Sequence, residues 1–292
     1  MKDVTEATFN EIITPARIQF IIPIWQRTYS WEPQQWKDLW EDLMDLYEKL
    51  QKGESAQHFM GPVVLKTQEQ KIGGITRWVI IDGQQRLTTL LLICALIRDK
   101  AEAAMDKNLV NEIEGHLLYN QYAKTIEDKP KLRPTEADSK FFGMIMAGKT
   151  STESVSVSQL HSAYTFFDYL VEENKGKLDI DILLDCIRAL KFVTIRLEES
   201  DNPNRIFETL NFRGKELAQS DLVRNFFMMS IGDPSKADEV YRQIWFPMQQ
   251  YLGQNTPERI KNLETFLRHY VVMRDQVVIN SRCEFFGSCK DC

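Results

Sequence analysis

A polar box set between two apolar runs restricts the fold of this chain more than any other feature. Trp78-Val79-Ile80-Ile81 leads into Asp82-Gly83-Gln84-Gln85-Arg86, and after Leu87-Thr88-Thr89 an unbroken apolar run extends from Leu90 to Ile97. The first run, rich in Val and Ile and ended by Asp-Gly, reads as a buried strand. The second reads as a central helix, Leu87 to Arg98, with little polar surface. A buried strand that turns directly into a buried helix leaves the helix start open at the strand edge. The first N–H groups of such a helix have no partner inside it, and with the helix dipole they form an anion site. Gly83 permits a tight turn and close approach of a ligand. Arg86 presents a planar fork suited to phosphate oxygens. Gln84 and Gln85 donate and accept, and Asp82 is suited to hold Mg²⁺ or to orient a water molecule. A second reading makes the same residues purely architectural, with Asp82 as N-cap and Gln85 completing a capping box. That reading leaves Arg86 as a costly charge beside a buried helix unless it is paired.

The rest of the chain alternates less and becomes mainly helical. PQQWKDLWEDLMDLYEKL (33–50) places Trp36, Leu39, Trp40, Leu43, Met44, Tyr47 and Leu50 on one helical face. Phe59 to Leu65 reads as a strand that pairs with Thr76 to Ile81 as a hairpin. Helix-spaced apolar residues recur near 101–125, 135–147, 158–175 and 179–190, with Gly176 placed to stop the third of these segments. STESVSVS (151–158) reads as a surface loop. Phe192 to Leu197 is one more short strand, expected to return to the core. Helices are expected around 203–212, 219–231, 236–252 and 256–274. The fold class expected is α+β and mostly helical: a small α/β core over residues 1–100, a helical domain over 101–280 and a tail over 281–292.

The chain has 292 residues, 43% hydrophobic and 27% charged, enough to bury a core. Its longest apolar run is too short to span a bilayer. MKDVTEATFNEI has no apolar signal core, so the protein is expected to be cytoplasmic, without a membrane partner. A net charge of −6 and a pI near 5.4 argue against broad coating of nucleic acid; any DNA contact is local and salt-sensitive. Cys94 and Cys186 read as small core residues. Cys283, Cys289 and Cys292 supply three of the four ligands a structural zinc site needs and read as a tail. His58, His116, His161 and His269 are scattered, so no metal–histidine nuclease centre is expected; His58, beside a strand, reads as structural.

Two further stretches carry chemistry. Ile22-Pro23-Ile24-Trp25-Gln26-Arg27-Thr28-Tyr29-Ser30-Trp31 gathers two Trp, a Tyr, an Arg and a Gln. Aromatic faces and a guanidinium suit stacking on bases, and Gln and Arg suit base edges or phosphates. Its aromatics equally suit anchoring of the following helix. Asn204 to Asn225 (NRIFETLNFRGKELAQSDLVRN) reads as a helix–turn–helix hairpin, with Asn211 to Gly214 ending the first helix and Ser220 or Asp221 capping the second. That geometry by itself says little about DNA.

Together the three stretches resemble one family. IPIWQRTYSW is similar to its motif I-P-x-aromatic-Q-R-x-Y-x-W, with Trp25 where a Tyr is common. VIIDGQQRLTTL, preceded by HFMGPVVL, is similar to its D-G-Q-Q-R-L-T-T-L box. FETLNFRGKELAQSDLVRN is similar to its F-E-x-x-N-x-x-G-x-x-L-x-x-x-D-L-x-x-N motif. The chain thus resembles, over about residues 10–275, the GmrSD-type amino-terminal domain of modification-dependent (type IV) restriction endonucleases, which include phosphorothioate-sensing defence nucleases. The resemblance implies a ParB/sulfiredoxin-like core with a helical domain behind it. It implies a nucleoside triphosphate, with Mg²⁺, bound and hydrolysed at the box. Asp82 and Arg86 would be catalytic, Asp82 the metal ligand, and Gly83, Gln84, Gln85, Arg86, Glu208 and Asn211 nucleotide-binding. Trp25, Gln26, Arg27 and Tyr29 would sense modified DNA. The implied partners are DNA and a nuclease domain, in cis or in trans, because full-length relatives continue into an HNH-type nuclease. A non-hydrolytic nucleotide switch and a helical protein-interaction module remain open beside this reading.

Overall fold

The computed structural model describes residues 3–69, 74–149, 158–198, 201, 218–253 and 256–275. Among these, six strands form one mixed sheet: β1 (Asp3–Thr8), β2 (Ile18–Ile21), β3 (Phe59–Glu69), β4 (Thr76–Asp82), β5 (Leu132–Arg133) and β6 (Lys191–Leu197). Their spatial order is β1-β6-β3-β4-β2-β5. β1–β6 and β3–β4 are antiparallel, the latter being the expected hairpin, while β6–β3, β4–β2 and β2–β5 are parallel. The class is α+β and mostly helical.

β6 lies between β1 and β3, so the late strand does return to the sheet. β1, β2 and β5 are short and had no alternating pattern long enough to announce them; the sheet, rather than local propensity, makes them strands.

Helix α1 (Phe9–Ile13) starts at a capping box between Thr8 and Glu11. α2 (Pro33–Gln51) begins at Pro33 and buries Trp36, Leu39, Trp40, Leu43, Leu46 and Tyr47. α3 (Gln84–Ala103) is buried on every side from Leu87 to Arg98, because other helices cover the faces that the sheet leaves open. α4 (Lys107–Glu112) runs into a π-helical turn (Ile113–Leu118), followed by α5 (Glu136–Met146), α6 (Gln159–Glu173) and α7 (Ile180–Ala189). The helix expected over 101–125 is therefore interrupted at Ala104 and ends at Leu118.

The described helices beyond the sheet are α8 (Gln219–Ser230), α9 (Pro234–Val240), a π-helical turn (Tyr241–Trp245), α10 (Phe246–Tyr251) and α11 (Thr256–Asp275). The helix expected over 203–212, with Glu208 and Asn211, lies outside the described residues. So do Cys283, Cys289 and Cys292.

The chain divides into two compact units, and the boundary differs from the expected one near residue 100. The first unit is Met1–Ile22 with Thr28–Asp201; the second is Pro23–Arg27 with Asn202–Cys292. The reason is the all-round burial of α3. A helix without a polar face needs helices as well as the sheet to cover it, so the helical segments up to Ala189 share the core of Phe9, Phe20, Ile80, Leu91, Phe142, Phe167 and Phe192. The second unit has its own core, in which Trp25 packs with Val223, Met228, Trp245, Leu263, Leu267 and Val271. Among the described residues, no helix is long and apolar enough to cross a membrane.

Candidate functional site

The box sits where the strand–helix pattern put it. β4 ends at Asp82, Gly83 turns the chain, and α3 begins at Gln84. The turn uses φ +98° at Gly83, a left-handed conformation that favours glycine. Space demands glycine as well: a Cβ there would lie 2.9 Å from Val63 Cγ2 and 3.3 Å from Val63 Cα. The N-cap of α3 is Gly83, not Asp82, and no side chain caps the helix start. The capping box that the spacing of Asp82 and Gln85 offered is not formed.

Asp82 and Arg86 instead pair with each other. Arg86 Nη2 donates to Asp82 Oδ2 at 3.0 Å, and Arg86 Nη1 donates to the Met60 carbonyl at 2.9 Å. The charge that looked costly is thus paired, one helical turn from its carboxylate, with both side chains still partly open to solvent. The Met60 carbonyl is available because β3 bulges between Phe59 and Pro62 where it pairs with β6. Gly61, at φ +96°, gives the guanidinium room; a Cβ there would lie 2.4 Å from Arg86 Nη1. Sequence reasoning missed this seat. Its signal was a Gly-Pro pair inside a strand, which marks a bulge or a close approach.

Gln85 faces away from the helix start. Its Oε1 accepts from Ser30 N–H at 2.8 Å, and its Nε2 donates to the Thr28 carbonyl at 3.2 Å. One amide thus clamps the backbone on both sides of Tyr29. The Tyr29 hydroxyl is hydrogen-bonded to Thr89 Oγ1 (2.7 Å) and accepts from Trp36 Nε1 (3.0 Å). The Tyr29 N–H donates to Asp138 Oδ2 at 2.8 Å, and the Thr135 hydroxyl donates to the same oxygen. Burial pushes the Tyr29 phenol and the Asp138 carboxyl above their ordinary values. Part of the first motif is therefore tied to the box by a buried polar network.

The remaining candidates fall in two groups. Tyr29 is in the first unit with its ring buried, and Trp25 is buried in the core of the second. Neither ring offers the open face that stacking on a base needs. Gln26 is buried, and Gln26 and Arg27 belong to the second unit. Gln84 is half-buried at the start of α3. α8 buries Arg224, paired with Asp221 at 2.7 Å, and Asn225, and the Gln219 N–H donates to Glu264. Of these residues the sequence reading gave only Asp221 a role, as a helix cap, and it left the burial of Arg224 and Asn225 unseen. His58 Nε2 lies 3.2 Å from Asp42 Oδ2 at the start of β3. Among the described residues, no three His, Cys, Asp or Glu side chains gather closely enough to hold a metal ion.

In this chain a mixed sheet, through its central hairpin, delivers an Asp-Gly-Gln-Gln-Arg turn to the start of a buried helix. The match is to a family model described as the GmrSD restriction endonuclease, N-terminal domain, over residues 9–228. That range is most of the chain, and the chain belongs to this family. No curated protein matches it.

Proposed function

We propose that this chain is the nucleotide-dependent sensor part of a modification-dependent restriction system. It binds a nucleoside triphosphate with Mg²⁺ at the Asp82–Arg86 box and hydrolyses it, and modified DNA read by the second unit regulates a nuclease domain in cis or in trans. The observation that carries the reading is the start of α3. A 20-residue helix opens at a glycine with no side-chain cap, flanked by a carboxylate and a guanidinium. Uncapped first-turn N–H groups suit phosphate oxygens. Mg²⁺ bound with phosphates commonly needs only one or two protein carboxylates, and Asp82 supplies one.

The Asp82–Arg86 pair suggests how such a site works. With no anion near, each group neutralises the other. A phosphate at the helix start competes for Arg86, and Asp82 is released to hold the metal or position a water molecule. Arg86 then stabilises the charge spread over the oxygens of the transferring phosphoryl group. Gly83 keeps the backbone close, and Gln85 holds the Thr28–Ser30 segment. Glu208 and Asn211 are proposed to complete the nucleotide site, and Gln26 and Arg27 to contact DNA. Both Nη atoms of Arg86 are already engaged. This favours a second reading, a nucleotide-binding switch that does not hydrolyse.

The test is phosphate release from ATP, GTP, CTP and UTP with Mg²⁺, without DNA and with plain, phosphorothioate or glucosylated-hydroxymethylcytosine DNA. Arg86→Ala is expected to lower turnover by roughly 10²–10³-fold, the usual loss for one preorganised charge stabiliser. Turnover near wild type in a folded Arg86→Ala protein overturns the assignment. A thermal shift with nucleotide but no phosphate release selects the switch.

A further inference from the structure

We propose that the cavity between the π-helical turn (Ile113–Leu118) and the loop from Tyr119 to Pro130 is a second binding site, for a nucleotide unit: a base edge and its phosphate. The cavity has a volume of about 490 Å³ and lies wholly within the first unit. That size suits a ligand of mononucleotide dimensions.

The loop is built rather than slack. Tyr119 and Pro130 bridge its ends, and Asn120 N–H donates to the Lys129 carbonyl at 2.7 Å. Buried Gln19 donates to the carbonyls of Glu127 (2.7 Å) and Pro130 (3.0 Å) from β2. Arg77 on β4 holds Asp128 at 2.8 Å. A compact loop pinned at both ends and braced from two strands is a common place for function. The cavity also adjoins a π-helical turn, a feature frequent at functional sites.

The lining has the chemistry of base recognition. Asn111, Asn120 and Gln121 bring three amides to one cavity. An amide offers a donor beside an acceptor, the pattern that a base edge presents in reverse. Asn120 is 3% exposed; its Nδ2 donates to the Asp128 carbonyl, and its Oδ1 has no hydrogen-bond partner. Gln121 is fitted closely over Gly115, where a Cβ would lie 2.3 Å from Gln121 Nε2.

The charge is anion-binding. Lys124 and Lys129 line the cavity, and neither has a carboxylate within ion-pair distance among the described residues. Lys129 Nζ rests 4.9 Å from the Tyr119 ring centre. The one acidic lining residue, Glu114, is engaged by buried Arg98 at 3.2 Å. Two unneutralised ammonium groups therefore face the cavity in a protein of net charge −6. Amides for a base edge and cations for a phosphate are the complement of a nucleotide. The source is either free nucleotide or single-stranded nucleic acid.

The test is photo-cross-linking of the full chain with two probes, 8-azidoadenosine monophosphate and a single-stranded oligonucleotide containing one 8-azidoadenine. Adducts are mapped by mass spectrometry, in wild type, Lys124→Ala/Lys129→Ala and Asn111→Trp. The lysines and Asn111 are exposed, so both variants are expected to fold, which thermal melting checks. The expected result is an adduct within residues 111–129, reduced about tenfold by the double variant and blocked by the tryptophan. The double variant should also flatten the salt dependence of oligonucleotide binding by roughly one to two in log–log slope, as loss of two phosphate contacts requires. Labelling by the mononucleotide alone identifies free nucleotide as the ligand; labelling by both identifies nucleic acid. No adduct in this segment, or equal labelling of both folded variants, overturns the proposal. Labelling of the Asp82–Arg86 box instead does so while leaving the function proposed for that box intact.

Discussion

Gly83→Ala isolates the turn on which the site depends. Two costs add in the structure. The alanine must adopt φ +98°, worth about 1–2 kcal/mol for a residue with a Cβ. The new methyl must also push Val63, whose Cγ2 would be 2.9 Å away and whose Cα would be 3.3 Å away. The second distance matters more, because backbone in the central hairpin cannot swing aside; such overpacking costs roughly 1–3 kcal/mol. The expected destabilisation is therefore about 2–5 kcal/mol. A domain of this size loses roughly 2–4 °C per kcal/mol, so thermal unfolding should fall by about 4–20 °C. Gly61→Ala is the control. It has a similar φ of +96°, but the obstacle is the end of the Arg86 side chain rather than backbone. It should cost less than Gly83→Ala and should dislodge Arg86 from the Met60 carbonyl. Urea unfolding followed by circular dichroism measures both. A Gly83→Ala protein within about 0.5 kcal/mol of wild type, the range of an ordinary surface change, refutes the argument that backbone contact fixes this turn.

Gln85→Leu should cost about 1–3 kcal/mol and speed hydrogen exchange at the Ser30 amide, because both backbone groups beside Tyr29 lose their partner; unchanged exchange would rule out the clamp. Arg98→Met should cost about 3–5 kcal/mol in urea unfolding, since Arg98 is 2% exposed, pairs with Asp99 and Glu114, and closes the end of α5 at the Ile145 and Met146 carbonyls; a loss under about 1 kcal/mol contradicts it. Burial pushes the Lys131 ammonium down to about 8, with the Pro15 carbonyl as its hydrogen-bond acceptor. An unfolded lysine titrates near 10.4, so between roughly pH 8 and 10.4 the unfolded chain holds more protons and stability rises with pH. Lys131→Met should remove that rise; an equally steep climb in the variant refutes the assignment.

The box and its helix were legible because burial on all sides and a sharp turn both write themselves into local sequence. Leu90 to Ile97 left no alternative to a central helix, and Asp-Gly marked the turn. The partners of the box were not legible, because they come from elsewhere in the chain. Met60 and Gly61 seat Arg86 from a neighbouring strand, and Gln85 found Thr28 and Ser30 instead of its own helix start. Spacing alone favoured a capping box there; a tertiary contact displaced it. The unit boundary failed for a related reason. Composition changes near residue 100, but a helix with no polar face draws its cover from whatever helices follow. The membership of Trp25 in a core made by residues from Val223 onward has no local trace at all.

That membership has a consequence during synthesis. Residues 23–27 leave the ribosome about 200 residues before the first described helix of their core, α8. At roughly 5–20 residues per second, this segment waits on the order of 10–40 s for its partners. The sheet is not complete until β6 is made, so the core of the first unit also stays unfinished until late in translation. Trp25 and Ile24 lack their partners in the second core for that interval and present apolar surface that a chaperone can shield. For the same reason, a cut between 201 and 202 would separate Trp25 from Val223, Trp245 and Leu263, and the carboxy-terminal fragment is expected to be less stable than the same unit in the intact chain.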